Sequence, residues 1–250
     1  EIGDSCFFGC SSLELISIPN SVQKIGESCF FGCKSLNEIT IPSSIDSLSK
    51  EIFSKCLNLK KIFIPNSVTN ICWYSFNGCS LLNQIEIPLS VTKIGGFSFN
   101  DCSNLKKISI PSSVTIIPQS CFKNCFSLEE IFIPNSITKI CESSFYRCSS
   151  LIKINIPDSV TSIGNSSFFG CSSLIEIKIS NSITKIEKES FSRCSNLKNF
   201  FIPFSVTCIQ NSAFFKCSLL EKIFIPNSVV SIGDSAFSRC ASLSEIDIPS

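Results

Sequence analysis

Four thiols open the question of chemistry. Cys6, Cys10, Cys29 and Cys33 are spaced C-x3-C-x18-C-x3-C, close to the spacing of a four-thiolate zinc site, and Cys121 and Cys125 repeat half of it. A structural zinc needs four such ligands to converge in a tetrahedron. Yet the position of Cys6 holds Ser, Ala or Ile when the pattern recurs, as at Ser75, Ala213 and Ile52. It asks for a residue that packs, so the sequence is read as holding no metal. The chain has 17 cysteines in all. A disulfide framework is the other ordinary reading of such a number. Eleven of the 17 share one spacing, from Cys10 through Cys33 to Cys240, and eleven like residues in a row cannot pair completely. Buried, reduced thiols that pack as small hydrophobes are the expectation.

Nothing else in the chain points to catalysis. There is no histidine, which removes the usual general base, the usual triad member and the commonest metal ligand. No P-loop, dinucleotide fingerprint or G-x-S-x-G elbow is present. The neighbouring carboxylates Glu129 and Glu130 fall where flanking repeats carry Lys107 and Lys153, so they read as a mutually compensated charged face. No enzyme, no cofactor and no catalytic residue is expected.

The element behind these spacings is Leu13-Glu14-Leu15-Ile16-Ser17-Ile18-Pro19, which returns every 23 residues up to Leu243–Pro249 without a change of register. Four columns have no exception: Leu from 13 to 243, Ile from 18 to 248, Phe from 7 to 237 and Cys from 10 to 240. The Ile16 column departs once, at Phe200, and the Pro19 column once, at Ser180. A fixed period of this length is the mark of a solenoid. Each coil of 23 residues is too small to bury its own apolar face, so like residues must stack on like to form ridges. One array of about eleven coils over residues 1–250 is expected. Starting at Glu1-Ile2-Gly3 and stopping at Ser250, both inside a repeat, it is read as an internal fragment of a longer protein.

Within a coil, residues such as Lys60-Lys61-Ile62-Phe63-Ile64 alternate outward and inward, as in a half-buried strand. Stacked coil on coil, such strands are parallel. Eleven of them at about 4.8 Å span on the order of 50 Å. Pro19 ends the strand. Ser21 follows, and its column is Ser in all ten repeats that contain it, which suggests a ladder of hydroxyls bonding to backbone at the bend. Gly26, Gly95, Gly164 and Gly233 mark a second bend, where left-handed backbone is expected. Phe30 and Cys33, three apart, then suggest one inward face of a short α or 3-10 turn, with Asp4, Glu27, Asn165 and Asp234 at its start.

Lys plus Arg is 21 and Asp plus Glu is 20. This balance provides no net field toward nucleic acid or an anionic membrane, and neither partner is expected. No apolar run reaches 18 residues, so no direct membrane insertion is expected. One good N-glycosylation sequon, Asn165-Ser166-Ser167, does not decide a compartment.

The pattern L-x-x-I-x-I-P-x-S-V-T-x-I-G-x-S-x-F-x-x-C-S resembles the leucine-rich repeats of BspA-like proteins along the whole chain. The resemblance implies a right-handed α/β solenoid with a parallel concave β-sheet and short helical turns on the convex side. It implies a surface-displayed or extracellular adhesion or interaction protein, with no catalytic residues. The ladder Asn usual in leucine-rich repeats is here the Ser21 column.

Four phenylalanines stand at an outward position of the strand: Phe63, Phe132, Phe201 and Phe224, with Phe204 just past its strand. Exposed aromatic groups mark interaction surfaces. These five are the candidate partner-binding residues, for a protein or glycan ligand. Trp73 and Tyr74 form a second possible contact point, or a local packing adjustment with Phe97. Two alternatives accompany the binding module: end-to-end self-association through uncapped coils, and a regulatory repeat domain of a larger intracellular protein.

Overall fold

The computed structural model describes residues 1–248. They form a parallel β-solenoid in which successive coils are offset by 23 residues. The outward–inward strand is seen as nine three-residue segments from Glu38–Thr40 to Glu245–Asp247. They pair in parallel in groups of two and three, with Glu38 opposite Lys61, Lys107 opposite Glu130 and Phe201 opposite Phe224. A second set of nine two-residue strands runs from Ser47–Leu48 to Ser231–Ile232 and pairs in the same sense.

The core is a bundle of ridges. Phe30, Phe53 and their successors to Phe214 are fully buried and stack on one another. Ring centroids in this ridge, from Phe7 to Phe237, lie 5.2–5.7 Å apart. The one large replacement in the Ile16 column is absorbed here: Phe200 sits edge-on to Phe214 and tilted to Phe191, both at 4.8 Å. The serine ladder is present. Ser44, Ser67, Ser90, Ser136, Ser159 and Ser205 each donate at 2.6–2.7 Å to a carbonyl of the preceding coil. It shifts where proline is missing. Ser180 accepts from the Ser182 amide, and both hydroxyls turn to the Asp158 carbonyl.

The turn face departs from the expected helical turns. Among the described residues there is no helix, and none therefore long and apolar enough to cross a membrane. The hydrogen bonds show why. The amides of Ser28, Phe30 and Gly32 reach the Lys50, Ile52 and Ser54 carbonyls of the next coil, while those of Phe31 and Cys33 reach back three residues. Every second donor thus leaves the coil, whereas a helix needs consecutive donors to stay within it. Two left-handed residues per coil set this alternation. One column runs from Ser5 through Ser28 to Ser235 at φ 51–60°. The other runs from Gly9 through Gly32 and Lys55 to Arg239 at φ 58–74°.

The bend glycines are corrected too. Gly26, Gly95, Gly164 and Gly233 are not left-handed; the glycines that are stand at 9, 32, 78 and 170. What requires glycine at Gly95 is close approach. A Cβ there would lie 2.4 Å from the Trp73 amide nitrogen. Nor do the acidic and amide side chains cap a helix: Asp4 accepts from the Glu27 amide at 2.8 Å and Asn211 from the Asp234 amide at 2.9 Å, each one coil on.

Candidate functional site: the strand face

The outward strand positions form a continuous surface, because period-two alternation sends Ile39 and Ile154 into the core and their flanking residues out. Charge is compensated along it. Lys107 pairs with Glu130 at 3.0 Å, Lys153 with Glu176 at 3.5 Å and Lys222 with Glu245 at 2.8 Å. All six groups are well exposed, so these pairs set the character of the face more than its stability.

All five candidate phenylalanines are exposed, from 48% at Phe224 to 66% at Phe132 and Phe204. Three of them come together. Phe204 meets Phe201 at 5.8 Å and Phe224 at 6.2 Å, both edge to face. That geometry favours aromatic pairs and holds each ring against the next without burying it. Phe63 and Phe132 are not in contact with this group. They stand on the rim of a shallow groove of about 720 Å³ whose other walls include Lys61, Glu86, Lys107 and Glu130.

The thiols are ladder members. In the Cys33 column each sulfhydryl donates to a phenylalanine carbonyl of the preceding coil, as Cys56 does to Phe30 at 3.0 Å and Cys79 to Phe53 at 3.1 Å. All 17 are free. Burial pushes the Cys29 and Cys33 thiols up to about 11, and those of Cys79 and Cys125 well above their ordinary value of 9.0. A thiol so placed is a poor nucleophile and a poor metal ligand. The zinc-like tetrad is not assembled. Stacking sets Cys29 beside Cys6 and Cys33 beside Cys10 in two separate ladders. Among the described residues no three His, Cys, Asp or Glu side chains are placed to hold a metal ion.

Known proteins share this architecture. The family described as BspA type leucine rich repeat region (6 copies) matches residues 1–129 and again 115–244. The chain belongs to the BspA-type leucine-rich repeat family. A leucine-rich repeat protein from Bacteroides ovatus is 28% identical over 98% of this chain and 82% of its own, with a TM-score of 0.77. A leucine rich cell surface protein from Faecalibacterium prausnitzii is 30% identical over 98% of this chain and 76% of its own, with a TM-score of 0.63. The pneumococcal vaccine antigen PcpA shares the fold at 22% identity, over 84% of this chain and 56% of its own, with a TM-score of 0.54. A comparison with curated proteins finds no match.

On the BspA-type turn face, sequence reasoning missed a second cluster. Tyr146, Phe169 and Phe215 stand one residue before the left-handed Gly32 column, and cations lie over them. Lys123 and Arg147 cover Tyr146 at 5.1 and 5.6 Å, Arg193 covers Phe169 at 5.5 Å, and Lys216 and Arg239 flank Phe215 at 5.5 and 5.8 Å. One signal was available: the only three arginines, 147, 193 and 239, are spaced by two repeats. Trp73 and Tyr74 pack against Phe97, with Trp73 still 48% exposed. Tyr74 stacks on Phe97 at 4.8 Å, and Trp73 lies 6.4 Å from the Phe97 ring. Gly96 makes room, since a Cβ there would meet the indole at 2.5 Å.

Proposed function

We propose that this segment is a non-catalytic binding module that takes a protein or glycan partner through its concave strand face. The observation that carries the reading is the Phe201–Phe204–Phe224 cluster. Three exposed rings cluster, with Phe204 against both Phe201 and Phe224, on a sheet whose register is fixed by core ridges beneath. Aromatic side chains on a rigid support lose little entropy on binding and desolvate well, which is why they dominate interface energetics. The compensated charges around them supply a polar rim. Display at a cell surface is part of the proposal. The family and the Faecalibacterium relative's description as a cell surface protein support it.

The test is a pull-down or biosensor comparison of partners from a host-cell surface extract against a Phe201→Ser/Phe224→Ser variant. Loss of binding by tenfold or more, roughly 1.4 kcal/mol, is expected for residues at an interface centre. If every interaction survives, the cluster is packing alone. Counting thiols on native-source protein, denatured without reductant, tests the core and the compartment together. About 17 free thiols are expected; a substantial number of disulfides would place the protein in an oxidising compartment and break the account of the ladder.

A further inference from the structure

We propose that the turn face between Lys123 and Arg239 is a docking stripe for a linear sulfated polysaccharide, gripped by Arg147, Arg193 and Arg239 with Lys123 and Lys216 beside them. Three observations carry this. The first is placement. Of 21 cationic residues only three are arginine, and all three occupy one outward column at every second coil. At about 4.8 Å per coil they form a row with a repeat of roughly 10 Å. A polymer with a regular charge spacing is the ligand that matches a row of this kind.

The second is chemistry. Each guanidinium lies over an aromatic ring at 5.5–5.8 Å. A guanidinium held over a ring keeps N–H donors for a further partner, the fork that recognises sulfate, phosphate or carboxylate. Among the described residues none of these five cations has a carboxylate within ion-pair distance; the ion pairs lie elsewhere. Between Lys123 and Arg239 the residue pairs at this turn include no acid: Lys123-Asn124, Tyr146-Arg147, Phe169-Gly170, Ser192-Arg193 (with Ser192 buried), Phe215-Lys216, Ser238-Arg239. A net charge of +1 for the chain conceals this local excess.

The third is local cost. Arg147, Arg193 and Arg239 have φ of 58, 60 and 62°. Other coils put glycine at the same position, as at Gly9, Gly32, Gly78 and Gly170. Left-handed backbone favours Gly, then Asn or Asp, over a long side chain. Arginine is there against the local preference, and backbone held so at a charged surface points to a binding role.

The neighbouring hydroxyls select the class of polyanion. Ser149, Ser172, Ser195 and Ser218, two residues beyond the cation column, each donate to a carbonyl of the preceding coil at 3.2–3.4 Å. Their lone pairs are left as a row of acceptors for sugar hydroxyls. Single-stranded nucleic acid would need open ring faces for its bases, and here the cations cover them.

The experiment uses the whole chain and heparin as the probe, with affinity measured across a salt titration. The variant is Arg147→Gly/Arg193→Gly/Arg239→Gly. Glycine suits the left-handed backbone, so folding is retained. The control, Lys60→Ala/Lys106→Ala/Lys198→Ala, removes the same charge from exposed positions near the strand. Wild type should bind heparin, and the slope of log affinity against log salt should fall by about 3 in the arginine variant, near one per lost contact, and stay unchanged in the control. No heparin binding by wild type, or an equal loss in the control, overturns the stripe. Tighter binding to oligothymidylate of matched charge than to heparin overturns the polysaccharide assignment.

Discussion

The turn face has two halves built on the same two columns, and they handle polar groups in opposite ways. From Ser54 to Asn124 the groups close on one another. Asn77 donates to Ser54 at 3.1 Å, Asn100 to Asn77 at 2.7 Å and Asn124 to Asp101 at 2.8 Å. From Lys123 to Arg239 three of the same positions, Tyr146, Phe169 and Phe215, carry rings with cations over them. One backbone therefore supports a ladder of side-chain hydrogen bonds, in which the Asn100 and Asn124 carbonyl oxygens are left without a partner, and an open row. The difference lies wholly in which side chains occupy two columns per coil. A repeat fold of this kind separates its scaffold from its surface: the ridges are held constant while the outer columns vary.

What the halves share should fail together. Buried thiols run through both, with folded pKa values raised above the ordinary 9.0, to about 11 at Cys29 and Cys33 and further at Cys125 and Cys171. The unfolded chain therefore releases these protons first. Stability is full below about pH 9 and falls as pH rises beyond it, by about 1.4 kcal/mol per pH unit for each such thiol. With a thiol in every coil the sum is the largest effect expected. Chemical denaturation of reduced protein between pH 8 and about 11 checks it. A flat profile would mean the thiols are not buried as described. Loss confined to one half, seen by proteolysis, would mean the two are not one scaffold.

The junction offers the next largest effect. Phe122 stacks on Phe99 at 5.6 Å and Phe145 at 5.5 Å, bridging the two halves. Phe122→Ala should cost about 3–5 kcal/mol by removing a fully buried ring that neighbours cannot replace. In a nearest-neighbour array it should also split one melting transition into two. A single transition at reduced temperature would show coupling that extends beyond adjacent coils.

The columns that form these ridges were the most legible part of the sequence. Phe30, Cys33 and Leu36 recur without exception because each is buried against copies of itself, and the Ser44 and Ser67 hydroxyls recur because one carbonyl per coil needs them. The turn face was less legible for a definite reason. Phe30 and Cys33 are three apart in a helical turn and also in a chain of β-turns, so spacing alone does not separate the two. The left-handed residue that decides between them is often a serine, as at Ser28 and Ser166, which carries no glycine signal. Glycine instead drew attention to Gly95, where the neighbouring coil comes close. The contact of Phe204 with Phe201 and Phe224 followed from the period. The arginines did not stand out, since each alone reads as a solvated charge and only their common column gives them meaning.

Single substitutions in the two halves should separate closed from open. Asp101 accepts from Asn124 and, through its other oxygen, from Asn100 at 3.1 Å. Asp101→Ala leaves both amides short of a partner and should destabilise by about 1–3 kcal/mol. Arg193→Gly, in the equivalent column, should stay within about 0.5 kcal/mol of wild type in a thermal or urea melt, because it removes an exposed side chain and relieves left-handed backbone. Equal losses would mean that the open half is also held together by its surface groups.

The last substitution extends the open half. Gly170 sits in the arginine column between Arg147 and Arg193 at φ +71°. A Cβ there would lie 3.3 Å from the Arg147 Cγ, the stem of a flexible side chain that can move aside. Gly170→Arg should cost about 1 kcal/mol, the usual penalty for a side chain in left-handed backbone. The same substitution fills the one coil without a cation between Arg147 and Arg239, and should steepen the salt dependence of heparin binding by about one unit. Stability and affinity then move in opposite directions from a single residue. If affinity is unchanged while the cost appears, the spacing of two coils between arginines is itself what the ligand reads, and a denser row has nothing further to bind.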